Sequence, residues 1–400
     1  MQHSPSASPT APRLITALVL LWLAGAALRF PLLAVPPVIR LIHDDLHMTE
    51  TQVGLLIGIP ILMFALAAIL GSLLIAWAGA GLIMLAGLLI TALGSTGRAA
   101  AYDLWTLYAM TILMGFGVAV MQPALPTLVR EWVPQRIALG TAVSSNGLLV
   151  GVASGPALTI PFVLPLVGQS WRLDFLVWSV PGLVTALLFI AFGARSRPQA
   201  EPRDATVHRW WPDWNTPLIW LLGLTFGSNN AFYYGVNGFL SDYLNSAGRT
   251  DLIGPALGWL NGSQLVASFV LLVTAERLQR RAWAYLIFGP LPIVGVLGLL
   301  LLDGVWIVAA ASVTGFSLAV TFVLTFALPS ILSPPDDVHR MAGGMLAVSY
   351  AIAVIVPIVC GAFWDLTGIP WTAFLPLDVC ALKLTVLGCM LALRSASTRA

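Results

Sequence analysis

Residues 14–39 read LITALVLLWLAGAALRFPLLAVPPVI, and this run is the strongest indication of the protein's class. It holds a single charged residue, Arg29. A transmembrane helix needs about 20 mostly apolar residues. The run is also too long for the apolar part of a secretory signal peptide, which spans about 7–15 residues. We therefore predict a retained membrane helix here.

The whole chain has the same character. Hydrophobic residues make up 58% of its 400 residues, only 9% are charged, and mean hydropathy is +0.91. Average soluble domains contain about 25% charged residues. A soluble protein of this size has no means of burying so much apolar surface, so the composition excludes one. The net charge of +2 gives no indication of a nucleic-acid partner.

Twelve apolar runs are long enough to cross a bilayer, and they predict an all-α membrane protein with twelve transmembrane helices. A polar segment rich in Arg and Pro separates six runs from six. The runs are 14–39, 52–75, 80–97, 104–128, 138–164, 175–193, 217–240, 253–274, 283–302, 305–328, 341–363 and 371–393. We predict a disordered cytoplasmic N-terminus (1–13), an N-terminal six-helix bundle (14–194), a cytoplasmic linker (195–216), a C-terminal six-helix bundle (217–394) and a cytoplasmic tail (395–400).

The distribution of positive charge predicts the orientation. With the N-terminus inside, thirteen Lys and Arg residues fall on cytoplasmic segments and four on exterior ones. Cytoplasmic loops of membrane proteins carry an excess of these residues. We therefore expect both termini in the cytoplasm and a multi-pass protein of the bacterial inner membrane.

The two halves also share sequence features. Gly168 and Trp171 lie at the entry to the sixth run, and Gly368 and Trp371 lie at the entry to the twelfth, each at an offset of 200 residues. Parallel repeats related by an axis along the membrane normal occur in one class of secondary transporter, which binds its substrate near the middle of the membrane between the repeats. We predict two six-helix pseudo-repeats around a central cavity.

Arg29 is the leading candidate for substrate binding. It lies roughly 22 Å into the first run at 1.5 Å per residue, close to the middle of a bilayer. A charged residue at that depth is costly and usually faces a partner or a water-filled cavity. Its planar guanidinium suits a carboxylate or another planar anion. The alternative is a structural arginine that binds backbone carbonyls freed by Pro31, Pro36 and Pro37.

The seventh run carries a polar helix face. Asn230, Tyr233, Tyr234 and Asn237 follow the i, i+3, i+4, i+7 spacing of one face. This face suits a small planar substrate, although interhelical hydrogen bonding is the alternative. Further candidates, for which helix–helix contact is at least as good an interpretation, are Gln122, Asn146, Asn261, Gln264 and Tyr350.

The sequence places only three charged residues inside the runs: Arg29, Asp378 and Lys383. A carboxyl group in a low-dielectric setting suits a proton carrier. Asp378 is therefore a candidate coupling residue, although it lies near the outer end of its run and a structural role is the alternative.

No motif indicates an enzyme, a metal or a cofactor. His43-Asp44-Asp45-Leu46-His47 has the histidine spacing of a zinc hydrolase motif, but Asp stands where Glu is needed. We interpret it as a solvated exterior loop. We expect no cofactor and no metal.

Four segments resemble the major facilitator superfamily, within it the group that includes cyanate and 2-nitroimidazole transporters. They contain Ala27-Leu28-Arg29-Phe30-Pro31, then Gly115 through Arg130, then Asn237 through Leu244, and finally Tyr350 through Trp371. The loop between the second and third runs departs from the superfamily pattern because it has lost all of its charges. The resemblance implies a twelve-helix alternating-access carrier whose helices 1, 4, 7 and 10 line the cavity.

The functional expectation is a secondary transporter for a small anionic or planar polar solute. The partners expected are that small molecule, a proton as an optional co-substrate and the lipid bilayer, and the protein is expected to be a monomer. A multidrug exporter on the same fold is the alternative, and a membrane-embedded enzyme or receptor is a remote one.

Overall fold

The structure is a computed structural model that describes residues 11–48, 50–196, 211–279 and 281–397. The predicted disordered N-terminus, linker and tail lie mostly outside this part of the chain. The first helix begins at Ala11, the sixth span extends to Ser196 and the last helix ends at Ser397.

The described part of the first half contains six helical spans. Several are broken into shorter helices, mostly at prolines. The helices are Ala11–Ala27, Phe30–Leu33 and Val35–Leu46 in the first span, Glu50–Ala78 in the second, Ala80–Ala99 in the third, Leu104–Met121 and Ala124–Trp132 in the fourth, Ile137–Leu158, the π-helical Thr159–Val163 and Leu164–Leu166 in the fifth, and Trp171–Ser196 in the sixth.

The second half contains six more spans in the residues described. Short 3₁₀ helices, Thr250–Leu252, Pro335–Asp337 and Pro370–Phe374, precede three of them. The spans are Pro217–Ser246, Ile253–Leu278, Ala282–Phe288 with Leu291–Leu301, Val305–Phe326 with Leu328–Leu332, Val338–Thr367 and Leu375–Ser397.

Length and composition agree with a membrane location. Within the described residues, ten helical runs are long and apolar enough to cross a bilayer. The two remaining spans, Glu50–Ala78 and Pro217–Ser246, have 29 and 30 residues. The seventh span has lower hydropathy because of the polar residues in its middle, including Asn229 and Asn230. The predicted fold, twelve helices in two sets of six, is confirmed.

The break in the first span has a clear physical cause. A proline ring clashes with the carbonyl of the residue four positions earlier. For Pro31 that residue is Ala27, where the first helix ends. Arg29 lies in the interruption, with φ −114° and ψ −31°, just before the helix Phe30–Leu33. Arg29 therefore lies where the first span is interrupted.

The repeated glycines occupy equivalent turns. Gly168 and Gly368 adopt left-handed conformations, with φ of 63° and 67°, just before the sixth and twelfth spans. Glycine adopts this conformation without the steric cost that a side chain brings. The offset of 200 residues thus reflects the same turn in both halves.

The prediction of a loop at His43–His47 was wrong in part. The helix Val35–Leu46 continues through most of it and ends at His47, whose φ is 49°. Asp44, Asp45 and His47 are nevertheless exposed, as expected of a solvated segment. No cluster of three potential metal ligands occurs in the described ranges.

Among the described residues, the hydrophobic cores of the two halves merge at one end of the bundle and stay separate at the other. We call the end that carries Ala11 and both flanks of segment 197–210 the terminal end, and the opposite end the distal end. At the terminal end one hydrophobic core includes residues of both halves, among them Leu125, Leu128, Phe326, Leu328 and Leu346. At the distal end each half has its own core, one around Val38, Tyr108 and Phe175 and the other around Val236, Leu260 and Phe374.

Hydrogen bonds between the halves agree with this packing. The Arg130 guanidinium donates to the Ser330 carbonyl oxygen at 3.0 Å. The Ser330 hydroxyl donates in turn to the Pro126 carbonyl oxygen at 2.7 Å. These contacts join the ends of the fourth and tenth spans, so the structure is closed at the terminal end.

Candidate functional site

A cavity of about 130 Å³ lies between the halves, and Arg29 borders it. The first span contributes Arg29 and Leu32, and the seventh contributes a set of amides and phenols. The fifth, eighth and tenth spans complete the wall with Leu148, Leu149, Val152, Gln264, Leu318 and Phe322. Spans 1, 7 and 10 were expected to line the cavity from the family resemblance, whereas the fifth and eighth were not.

Arg29 has no carboxylate partner among the described residues. The ion pairs found there are Arg172–Asp45, Arg249–Asp303 and Arg340–Asp337, and all of them lie outside this cavity. The phenols of Tyr350, Tyr234 and Tyr233 interact electrostatically with the guanidinium. The guanidinium carbon of Arg29, Cζ, also lies 6.0 Å from the centre of the Phe64 ring.

The position of Arg29 favours one of the two interpretations of the sequence. The alternative was a guanidinium held by backbone carbonyls near the prolines. No hydrogen bond from Arg29 to such a carbonyl occurs among the described residues, and the side chain borders the cavity instead. A permanent positive charge therefore faces a central space that holds no compensating acid of the described chain.

The seventh span presents four polar side chains to the cavity: Asn229, Asn230, Tyr233 and Tyr234. The amide nitrogen of Asn230 donates to the Ser349 hydroxyl at 2.8 Å, which fixes the side chain against the eleventh span. The side-chain amide oxygen of Asn229, Oδ1, accepts from the Thr321 hydroxyl at 2.8 Å. Asn229 was missed by the sequence analysis, although it precedes a predicted site residue.

Asn237 does not line the cavity, so the structure brings together three of the four residues predicted on this helix face. Its amide donates to the Tyr233 carbonyl oxygen at 2.9 Å and accepts from Asn261 at 2.9 Å. The Tyr233 hydroxyl also donates to Asn261, at 2.9 Å. Asn237 and Asn261 thus connect the seventh and eighth spans.

Gln122 and Tyr350 join the halves beside Arg29. The Tyr350 hydroxyl donates to Oε1 of Gln122 at 2.8 Å, across the interface between the fourth and eleventh spans. Both residues border a second space of about 10 Å³, which Arg29 also borders. That volume has room for about one water molecule. Of the described residues in the fourth span, Gln122 alone borders either space, and it borders the smaller one.

Asn146 has an interhelical role as well. Its amide accepts from the Trp22 indole at 2.8 Å and donates to the Ser268 hydroxyl at 2.8 Å. The second of these bonds crosses between the halves, from the fifth span to the eighth. Like the bond between Tyr350 and Gln122, it lies on the terminal side of Arg29.

Apart from Arg29, the charged residues that the sequence places inside the runs lie away from both spaces. Asp378 is only partly buried and borders neither space, and Lys383 is exposed. Asp174, which the sequence places outside the runs, nevertheless has no exposed surface. Arg98, which directly follows the third run and is one of the four Lys and Arg residues expected on exterior segments, is completely buried too.

Comparisons with known proteins agree with this architecture. A sequence profile of the Major Facilitator Superfamily matches residues 18–357. The chain is 24% identical to the cyanate transport protein CynX of Escherichia coli K12 over 88% of its own length and 90% of that protein. It is 23% identical to the 2-nitroimidazole transporter of the same organism, over 86% and 87%.

A solved structure has the same fold. The transporter FucP in its outward conformation superposes with a TM-score of 0.74 at 14% identity, covering 96% of this chain and 99% of that one. At this level of identity the similarity shows the fold alone.

Proposed function

Because the chain belongs to the Major Facilitator Superfamily, a family of membrane transporters rather than enzymes, we propose that it carries a small organic or inorganic anion by alternating access. Arg29 carries this proposal. Its charge faces the cavity between the halves and has no carboxylate partner in the described residues. Keeping such a charge in the membrane costs free energy, and an anionic substrate would compensate it.

The shape of the cavity supports a planar substrate. Arg29 is on one side, and the amides and phenols of Asn229, Asn230, Tyr233 and Tyr234 are on another. An anion with delocalised charge can accept hydrogen bonds from the guanidinium, from the amides of Asn229 and Asn230 and from the Tyr234 hydroxyl at the same time. The Tyr233 hydroxyl already donates to Asn261 and contributes its ring instead. Apart from Gln264, the remaining wall is aliphatic or aromatic and would contact the flat, less polar part of the solute.

The volume supports a small substrate. Pockets that enclose drug-sized molecules have about 300–1,000 Å³, whereas this cavity has about 130 Å³. The apolar wall, which includes Leu148, Leu149 and Phe322, is the feature that favours the multidrug exporter. The size and the single uncompensated charge favour the anion carrier over it.

We propose that the terminal end faces the cytoplasm of a bacterial inner membrane. The excess of Lys and Arg on that side supports this orientation. In that orientation the closed end is cytoplasmic, and the structure corresponds to an outward-facing state of the transport cycle. A rocking movement of the two halves would then expose Arg29 to the opposite side.

Uptake into proteoliposomes tests the proposal. Radiolabelled cyanate and 2-nitroimidazole, the solutes that the two relatives are named for, are the first probes, followed by small monocarboxylates. We expect saturable uptake of an anion by the wild type and its loss in Arg29→Ala. The control is Arg277→Ala, because Arg277 is exposed and lies outside the cavity. Strong dye efflux that is unchanged in Arg29→Ala would favour the exporter.

A further inference from the structure

A second buried charged group lies outside the cavity, between the third and sixth spans. Arg98, at the end of Ala80–Ala99, and Asp174, in the first turn of Trp171–Ser196, have no exposed surface. They interact electrostatically. Their side chains do not form an ion pair within 4 Å, because the ion pairs of the described residues involve other groups.

The two side chains have unmet hydrogen-bonding capacity. Nε and Nη1 of Arg98 lack a partner in the described structure, and so do both carboxyl oxygens of Asp174. Two guanidinium nitrogens of Arg98 and two carboxyl oxygens of Asp174 are thus buried without a hydrogen bond to each other or to another group of the described structure. Buried polar groups normally find partners, so an arrangement of this kind calls for an explanation.

The unpaired state suits a protonated Asp174. An ionised carboxylate buried without a well-formed hydrogen bond would lose its hydration, and the more distant Arg98, Trp178 and Thr159 would compensate only part of that cost. A neutral acid avoids most of that cost. Arg98 meanwhile has other stabilising contacts, since its guanidinium carbon lies 4.3 Å from the centre of the Phe175 ring and Nη2 donates to Ser95 at 3.2 Å.

Arg98 also connects this pair to the substrate site. Its Nη2 donates to the carbonyl oxygen of Pro31 at 2.8 Å. Pro31 belongs to the short helix Phe30–Leu33, which begins one residue after Arg29. A change in the position of the Arg98 guanidinium would therefore act directly on the interruption that holds Arg29.

We propose that Asp174 is a proton-binding site, coupled through Arg98 and Pro31 to the substrate-binding arginine. This inference rests on the proposed transport function. In the state observed, Asp174 carries the proton and Arg98 binds Pro31. When Asp174 releases the proton, its carboxylate attracts Arg98 away from Pro31 and loosens the segment that follows Arg29.

The proton balance is simple. An O–H bond forms when the Asp174 carboxylate takes a proton from a hydronium ion on one side, which leaves water. The same bond breaks when a water molecule on the other side accepts that proton and becomes hydronium. No oxidant or further reactant is involved. The site is close to the distal surface, because Arg172, two residues earlier, forms a partly exposed ion pair with Asp45 at 2.8 Å.

The surroundings of Asp174 contain few other groups that could control its charge. Arg98 on the third span is the charged group that acts on it, while Trp178 and Thr159 are its polar neighbours from the sixth and fifth spans. The indole of Trp178 donates to Thr159 at 2.8 Å. From the first span, Asp45 faces Arg172 rather than this pair.

Infrared difference spectroscopy tests the proton site without any substrate. The full chain, reconstituted in lipid, is titrated with acid and base, and the carbonyl band of protonated carboxyl groups is recorded. We expect a band that is lost in Asp174→Asn, shifted in Asp174→Glu and kept in Asp378→Asn, which removes another acid that is partly buried in a span. An unchanged band in Asp174→Asn, or its loss in Asp378→Asn, would overturn the proposal.

A transport measurement tests the coupling. Uptake of cyanate, or of whichever anion the wild type carries, is measured with and without a pH gradient across the proteoliposome membrane. We expect the gradient to stimulate the wild type, and this stimulation to be lost in Asp174→Asn while substrate exchange continues. A gradient response that persists in Asp174→Asn refutes the coupling. Failure of the wild type to carry any anion refutes the transport proposal instead and leaves the infrared result standing.

Discussion

Replacing Tyr350 with Phe should shift the protein away from the state that is closed at the terminal end. The Tyr350 hydroxyl donates to Gln122 across the two halves at 2.8 Å. Gln122 is 6% exposed, and its Nε2 already lacks a partner in the described structure. In Tyr350→Phe neither polar atom of the Gln122 amide would be satisfied in the closed state. In the opposite state water would reach it.

The magnitude follows from the burial of that amide. A buried polar group left without a partner costs about 1–3 kcal/mol. A free-energy difference of that size changes an equilibrium by about 5–150-fold. The ratio of terminal-end-closed to terminal-end-open molecules should fall by this factor.

Spin-label distance measurements can follow the shift after the native cysteines have been replaced. Labels at Gln135 and Asp336 report the terminal end, and labels at Asp44 and Ser246 report the distal end, because all four residues are exposed. In Tyr350→Phe we expect longer distances in the terminal pair and shorter distances in the distal pair. The assay needs no knowledge of the substrate.

Two further variants make the test specific. Tyr108→Phe removes a phenol hydrogen bond of the same length, 2.8 Å to the Gln52 carbonyl oxygen, within one half. It should leave both distances unchanged. Adding Gln122→Met to Tyr350→Phe removes the unsatisfied amide and should restore the wild-type distances. Wild-type distances in Tyr350→Phe alone would refute the assignment of this bond to the closed state.

Two other predictions concern stability and pH. Gly147→Ala should lower the free energy of unfolding by about 1–3 kcal/mol, because the added Cβ would lie 2.1 Å from the Trp22 carbonyl oxygen. Denaturant titration measures this loss. The control is Gly258→Ala, whose Cβ meets nothing within 4 Å, and it should show little change or a small gain in stability. Hydrogen bonds from Thr106 lower the pKa of Asp103 at the start of the fourth span, so its capping effect is present at neutral pH and is lost as the pH falls through that lowered pKa. Amide exchange in the first turn of that span should therefore be faster in Asp103→Ala than in the wild type at neutral pH and equal in acid; a difference that persists in acid would contradict this.

Much of the fold could be predicted because each span corresponds to one continuous stretch of sequence, an apolar run whose length is set by the thickness of the bilayer. The breaks are also local. Pro31 ends the first helix at Ala27 through its clash with that residue's carbonyl. What sequence analysis could not give is the end at which the halves meet. That depends on contacts such as Arg130 with Ser330, which are 200 residues apart.

The charged residues were harder to place, because tertiary packing decides their burial. Arg98 and Asp174 flank apolar runs, where water is the usual environment. Asp174 also lies in the first turn of a helix, where an acidic side chain interacts favourably with the helix dipole even when it is exposed. Its position therefore gives no indication of burial. Their burial results from the packing of the third span against the sixth and the first, which no local pattern records.

The helix face on the seventh span was predicted correctly but extended too far. Asn230 and Asn237 share a face, yet seven residues separate them by roughly 10 Å along the axis. The cavity does not reach that far, so Asn237 contacts Asn261 instead. Asn229 borders the cavity because the space is wide enough to reach a second column of side chains. Periodicity gives the direction of a side chain and not the depth of a cavity.

The thermal stability of Arg29→Gln in a screen of small anions tests most directly whether this guanidinium binds the cargo. A ligand that binds only the folded state at 100 times its Kd stabilises the protein by about 2.7 kcal/mol. We predict that at least one anion raises the Tm of the wild type and of Arg277→Gln in a saturable manner and has no such effect on a folded Arg29→Gln. An equal rise in Arg29→Gln would contradict the anion-binding role of Arg29.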